Sequence, residues 1–468
     1  MRDSMWQLKN NYKYMKKYKF KLLSILLVMV GCDGFLDEKP SKSLVVPQTL
    51  AELQGLLDNT NFLMNDSPAL IFNGTDDFWT TDQGFQSFNS IPNQNSYVWQ
   101  EEIFDTPQSS DWVISYRQVF YANLVLEEAM EMDPITDAEQ KERDELIGRA
   151  LFMRAKAFFD LAGQFAPVYQ KENASDFLGI VIRTNPKITE KQERTSLQET
   201  YDQILGDLNE AVGLLPETVV IPTRPTQTAG QALLARVYLS MSDYEMANQW
   251  AKASLESGAE LLDFNEVMPS GNFSFAPFNK ETLYYSVMNG QLFHYSNLTF
   301  VDQELFDSYD SLDLRKKLFY RKPNESAMGY VFRGSFSGDY PLFSGLSTGE
   351  LYLILAETET RLGRTAEGLG YLNELLEKRY KVGEFQPWRG LDESEALNLV
   401  FEERRKELAF RGLRWNDLRR LNLEPALAKT LKRTVNEVEY SMPPNSPRYV
   451  FPIPQDELQL NGLEPNIR

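Results

Sequence analysis

The sequence predicts an all-α protein: a tetratricopeptide-like scaffold of helix pairs with long irregular loops. Three observations predict it. Helix-start signatures stand ahead of apolar residues at helical spacing, as in Ser196-Leu-Gln-Glu199 followed by Tyr201, Ile204, Leu205, Leu208 and Val212. Helix–turn–helix units of about 30 residues recur. Between them lie three stretches, 60–112, 263–303 and 320–348, that are rich in aromatic and small polar residues and lack any helical period.

Taken in chain order, residues 1–31 stand apart. Lys9, Lys13, Lys16, Lys17, Lys19 and Lys21 precede an apolar run, Leu22–Val30, that ends at Gly31-Cys32. A basic start and about nine apolar residues suit a secretory signal and fall well short of the ~20 a membrane span needs. Val28-Met29-Val30-Gly31-Cys32 resembles the lipobox of bacterial lipoproteins, in which the cysteine becomes the acylated first residue of the mature chain. A start at Met15 gives this signal a more ordinary length. The other reading is an uncleaved anchor with an incidental cysteine, and Cys32 falls where cleavage is expected.

Downstream, residues 113–132 and 140–165 pair Leu124, Val125 and Ala129 with Leu146, Ala150, Met153, Ala157 and Leu161. The helix after Ser196 is stopped by Pro216. Residues 229–241 and 244–255 form a second unit around a Ser242-Asp243 turn, with small residues at the crossing. A third unit occupies 349–379, turning at Gly363-Arg364-Thr365. The scaffold therefore covers about 113–262 and 349–425, and the three aperiodic stretches are loops with functional content, because loops of such length in a compact domain are usually functional or disordered and their aromatics argue against disorder.

Composition restricts the chemistry. The chain has 468 residues, 48 Lys+Arg against 67 Asp+Glu, one Cys and one His. A single cysteine excludes an internal disulfide and cysteine-rich metal sites; a single His294 excludes histidine-pair metal centres. A net charge of −19, sharpening to −25 once residues 1–31 are removed, argues against nucleic-acid binding. No HExxH or P-loop pattern occurs. Carboxylate pairs suited to glycosidases are unavoidable in so acidic a chain and carry no information, Asp76 and Asp77 beside Trp79 included. Asp307, Asp310 and Asp313 lack the glycine turn and distant glutamate of a calcium loop; capping and pairing with Arg315 account for them better. In 402–420, Glu403 and Glu407 lie four apart on a helix with Arg404, Arg405 and Arg411 in reach, which predicts a packing and ion-pair element rather than a reactive one.

Five segments together resemble the SusD/RagB family of Bacteroidetes outer-membrane lipoproteins. They are Cys32–Pro40; Arg154-Ala-Lys-Ala-Phe-Phe-Asp160; Tyr201–Ala211 followed by Gln231–Tyr238; Glu402–Arg420; and Tyr449-Val-Phe-Pro-Ile-Pro454 near the C-terminus. The resemblance spans 32–468. It implies a surface-exposed nutrient-binding lipoprotein anchored in the outer membrane through acylated Cys32, needing no cofactor and not an enzyme. Its implied partner is a SusC-like TonB-dependent β-barrel transporter, which it covers as a lid. The implied ligand is a glycan, with a peptide as the alternative; a helical-repeat scaffold binding only protein is the other non-catalytic reading.

A sugar's C–H face packs on an aromatic ring while its hydroxyls seek planar polar partners. By that criterion Asp76, Asp77, Trp79, Tyr97, Trp99 and Tyr295 are the expected ligand-contacting residues, with Phe72, Phe85, Tyr284, Tyr285 and Trp388 in similar settings. The competing expectation is that these rings merely cover the helical scaffold.

Overall fold

Thr136 and Ser196 start their helices as their sequences demand. Each hydroxyl accepts the N–H of the glutamate three residues on, at 3.2 Å from Glu139 and 3.1 Å from Glu199, and each glutamate accepts the cap residue's own N–H in return. Two of the orphan donors at a helix start are satisfied reciprocally this way. The computed structural model describes residues 47, 49–269, 271–288, 290 and 296–468. The expected signal, Cys32, His294 and Tyr295 lie outside the described residues.

The longer helices, numbered in order, are α1 (Leu50–Leu57), α2 (Ser110–Glu131), α3 (Asp137–Phe165), α4 (Leu197–Leu214), α5 (Gln227–Ser240), α6 (Tyr244–Glu256), α7 (Thr348–Arg361), α8 (Thr365–Glu377), α9 (Glu393–Glu407) and α10 (Arg414–Leu421). From α2 to α7 each packs on the next, and α7 then supports both α8 and α9. This is the expected scaffold of helix pairs. The turns use residues able to take a left-handed backbone: Ser242 has φ +60° between α5 and α6, and Gly363 has φ +78° between α7 and α8. Small side chains bring the axes together. Ala229, Ala232 and Ala235 of α5 and Ala247 and Ala251 of α6 are all buried, and a Cβ at Gly230 would meet Val212 Cγ2 at 2.8 Å.

The interhelical core combines aliphatic side chains, such as Leu351, Ile354 and Leu355 of α7, with rings of α3 such as Phe152, Phe158 and Phe165. A separate aromatic core, including Phe72, Phe78, Phe264, Phe319, Phe332 and Phe410, lies under the loop-rich segments. Those segments are tied down by two-stranded ribbons; the described strands form only two-stranded sheets. Residues 60–112 also contain helical turns at Leu70–Asn73, Asp82–Gln86 and Ile91–Tyr97. Caps from Thr81 and Ser90 start two of them, and none is long enough to print a periodicity on the sequence.

α9 packs through Ala396 and Val400 into a third apolar cluster shared with α7 and α8, and its ion pairing differs from the expected local pattern. Glu407 accepts from Arg379 at 2.9 Å and from Arg315 at 3.3 Å, and Glu403 accepts from Arg315 Nη2 at 2.5 Å. Arg379 also meets Glu281 at 2.7 Å, while Arg315 meets Asp313 at 2.7 Å as expected. Arg404 crosses to Asp417 in α10, and Arg405 reaches Asp302. Of the local pairings, the described ones at Glu403 and Glu402 run to Lys406 instead of an arginine. The arginines are spent across the fold because these carboxylates are buried, and buried charges require partners with good geometry.

Candidate functional site

The loop-rich face is built on one short ribbon. Phe78–Thr80 pairs antiparallel with Thr299–Val301, setting Trp79 directly opposite Phe300. Alternation along the strand sends Phe78 and Thr80 inward and leaves Trp79 partly exposed. The Trp79 ring leans on Phe300 at 5.0 Å between centroids, tilted 40°. Phe300 in turn is buttressed by Gly329, where a Cβ would lie 3.0 Å from the Phe300 side chain. Beyond it Tyr330 stacks on Phe306 at 3.7 Å, and Lys322 lies 5.7 Å from the Tyr330 ring.

Asp76, just before this strand, is clamped by cations. Arg414 donates twice, at 2.7 and 3.0 Å, Lys429 donates at 2.9 Å, and Arg405 stands 3.4 Å away. Burial alone would raise its pKa, but the Arg414, Arg405 and Lys429 charges outweigh burial and hold the carboxyl well below the usual range. Its neighbour behaves oppositely. Asp77 is 1% exposed, accepts one bond from the Phe410 N–H at 3.1 Å, and is pushed up to about 6 by burial and then by the adjacent Asp76 charge.

The structure therefore divides the expected ligand contacts. Asp76, just before the ribbon, and Trp79, within it, are both partly exposed. Tyr97 and Trp99 do not join them: each is 2% exposed, with the Arg433 guanidinium carbon 3.8 Å and 4.7 Å from their ring centroids. The Tyr97 hydroxyl accepts from the Thr80 N–H at 3.1 Å, and Trp99 Nε1 donates to the Gly74 carbonyl at 2.9 Å. With Asp77 they are interior residues, which corrects their expected role as ligand contacts. The physical reason is that the short helical turns of 70–97 fold those rings under the loop. Tyr284 is likewise buried against Phe152. Tyr295 lies outside the described residues.

Aromatics that sequence reasoning passed over stand elsewhere in the loop-rich segments. Phe278 packs on Tyr285 at 4.9 Å and Phe273 on Tyr340 at 5.2 Å; Phe278 and Tyr340 are exposed. The signal that could have found Phe278 is its position after Pro277 in a turn, where φ is +56°. Among the described residues no three His, Cys, Asp or Glu side chains converge to hold a metal, and no helix is long and apolar enough to cross a membrane.

Comparison with known proteins follows the same architecture. Residues 34–239 match the family model described as starch-binding associating with outer membrane, and 348–467 match the SusD family model. Two SusD-like proteins of Formosa agariphila, P2 and P25, are 23% and 22% identical, over 87% and 92% of this chain and 91% and 94% of their own. A SusD superfamily crystal structure from Bacteroides thetaiotaomicron superposes with TM-score 0.73 at 21% identity, covering 90% of this chain and 100% of that one. A SusD-like carbohydrate binding protein from Bacteroides vulgatus gives TM-score 0.66 at 19% identity, covering 89% and 97%.

Proposed function

The chain belongs to the SusD/RagB family, and from that premise we propose that it is a lipid-anchored outer-membrane protein that captures an oligosaccharide and passes it unchanged to a SusC-like TonB-dependent transporter. Family members are binding proteins that work with such transporters in general. The observation that carries the glycan reading is the Trp79 ring, partly exposed on its strand and packed on Phe300. A ring face held in place and open to solvent is what the C–H face of a sugar packs on. Acylation of Cys32 is the anchor in this reading, and a lid closing on the barrel is the delivery step.

The test is affinity electrophoresis of the Cys32-lacking chain through gels containing plant, algal or host polysaccharides, beside oligopeptide titrations. Retardation on at least one glycan supports the reading. Peptide binding with no glycan retardation favours the peptide-capturing alternative, and glycan cleavage by the purified chain overturns the non-catalytic assignment.

A further inference from the structure

A cleft of about 640 Å³ opens on the helix-pair side, between the segment that follows α3, the end of α10 and the C-terminal tail. Its walls are apolar, with Pro167, Val168, Phe177, Pro447, Val450 and Ile467. Its volume is that of a small-molecule site. Trp79 and the loop aromatics contribute nothing to it.

Its charges are unusual for this protein. Ten arginines among the described residues are buried, and six of them (Arg154, Arg236, Arg315, Arg379, Arg404 and Arg420) meet a carboxylate at salt-bridge distance. Arg194 and Arg419, at 8% and 5% exposure, line this cleft and meet none. Their N–H groups are taken by neutral acceptors. Arg194 donates to the Gly179 and Glu464 carbonyls at 2.9 Å and to Asn466 Oδ1 at 2.8 Å; Arg419 donates to the Gly163 and Ala166 carbonyls. The carboxylates that do border the cleft, Asp176 and Glu464, are exposed at its rim. Burial lowers both guanidinium pKa values to about 10, so both keep their charge at neutral pH. Two buried positive charges with no carboxylate at salt-bridge distance, and only the exposed Glu464 acting on Arg194 from the rim, are costly, and an anion in the cleft would offset that cost.

Donors for such an anion are also present. The Asn422 amide nitrogen and the Tyr449 hydroxyl lie beside each other on the cleft wall, at 3% and 4% exposure; they interact with each other, and neither makes a hydrogen bond to a third group among the described residues. Burial pushes the Tyr449 phenol up to about 12, so it remains a proton donor. Buried polar groups left without partners are exceptions in folded proteins and mark places where a missing partner belongs.

We propose that this cleft is a second binding site, separate from the Trp79 surface, for a small carboxylate on an apolar body. Asn422 and Tyr449 donate to the carboxylate, the Arg194 and Arg419 charges favour it electrostatically, and the aliphatic and proline walls take the body. A free peptide C-terminus and a medium-chain fatty acid share that chemistry.

Isothermal titration of the whole mature chain with N-acetyl-Leu-Phe, its C-terminal amide, decanoate and decanol distinguishes the sources. The expected result is saturable binding of one carboxylate, weakened at least tenfold in its neutral counterpart. Tyr449→Phe should weaken it severalfold. Ile467→Glu, at a position 89% exposed where the fold tolerates a charge, should weaken it at least tenfold by placing a negative charge at the mouth. Equal binding of acid and neutral forms, or binding of neither acid, overturns the proposal. So does full affinity in Ile467→Glu. Glycan retardation is read separately, so failure here leaves the Trp79 reading standing, and the reverse.

Discussion

Arg414 closes on Asp76 with two parallel bonds, Nε to Oδ1 at 2.7 Å and Nη2 to Oδ2 at 3.0 Å. One residue opens the loop ribbon and the other begins α10, more than three hundred positions later. A bidentate guanidinium–carboxylate pair fixes both distance and orientation. The pair therefore registers the Trp79 ribbon against the helical scaffold, with Lys429 and Arg405 adding charge to the same carboxylate. Replacing Asp76 by Asn leaves three cations without their shared anion. The expected loss is about 2–4 kcal/mol, somewhat below a fully buried pair because the site retains some solvent. Urea unfolding of Asp76→Asn checks it.

The deeper cluster should cost more to break. Glu407 sits between Arg379 and Arg315, and all three are almost wholly buried. Glu407→Gln keeps the shape and removes the one carboxylate the two guanidiniums share, leaving Arg379 with Glu281 and Arg315 with Asp313 and Glu403. A loss of about 3–5 kcal/mol is expected in the same unfolding measurement.

Gly74 tests packing without backbone strain. Its φ is −76°, ordinary for any residue, yet an added Cβ would run into the Trp415 ring. Gly74→Ala should cost about 1–3 kcal/mol through overpacking and should perturb Trp415, seen as a shift in tryptophan fluorescence.

Asp66 predicts a pH dependence. Burial raises its pKa to about 6 from 3.8, with the Lys156 charge opposing the shift. A folded pKa above the unfolded one means the native state holds the extra proton between those values, so this group's contribution is favourable below about pH 4 and is lost as pH rises towards 6. A shift of that size corresponds to about 3 kcal/mol at neutral pH. Asp66→Asn should remove it: relative to wild type, the variant gains stability between pH 4 and pH 7, measured by denaturant midpoints across that range.

Much of this architecture was legible in the sequence because it is local. Ser196 with Glu199, Pro216, and the Ser242 and Gly363 turns define helices α4 to α8 through contacts only a few residues long. The family resemblance was legible in the same way, through contiguous runs such as 402–420. What was not legible depends on partners far away in the chain. Glu403 and Glu407 looked ready for arginines on their own helix, but their counter-charges come from elsewhere: Arg315 opens the short helix Arg315–Phe319 ahead of α7, and Arg379 follows α8. Trp79 and Trp99 have similar sequence surroundings; one faces outward on a strand, while the other, at φ +54°, is turned under the loop onto Arg433. Composition cannot separate those outcomes, since the ribbon pairing that exposes Trp79 is made with residues 299–301.

The most direct test of the account is the affinity of Trp79→Ala for whichever oligosaccharide the wild-type chain binds, measured by isothermal titration. Trp99→Phe serves as the buried-ring control. The account predicts that Trp79→Ala weakens binding roughly tenfold, about 1.4 kcal/mol, with an unchanged melting temperature, while Trp99→Phe keeps its affinity. Wild-type affinity in Trp79→Ala would contradict the assignment of this ribbon as the ligand surface.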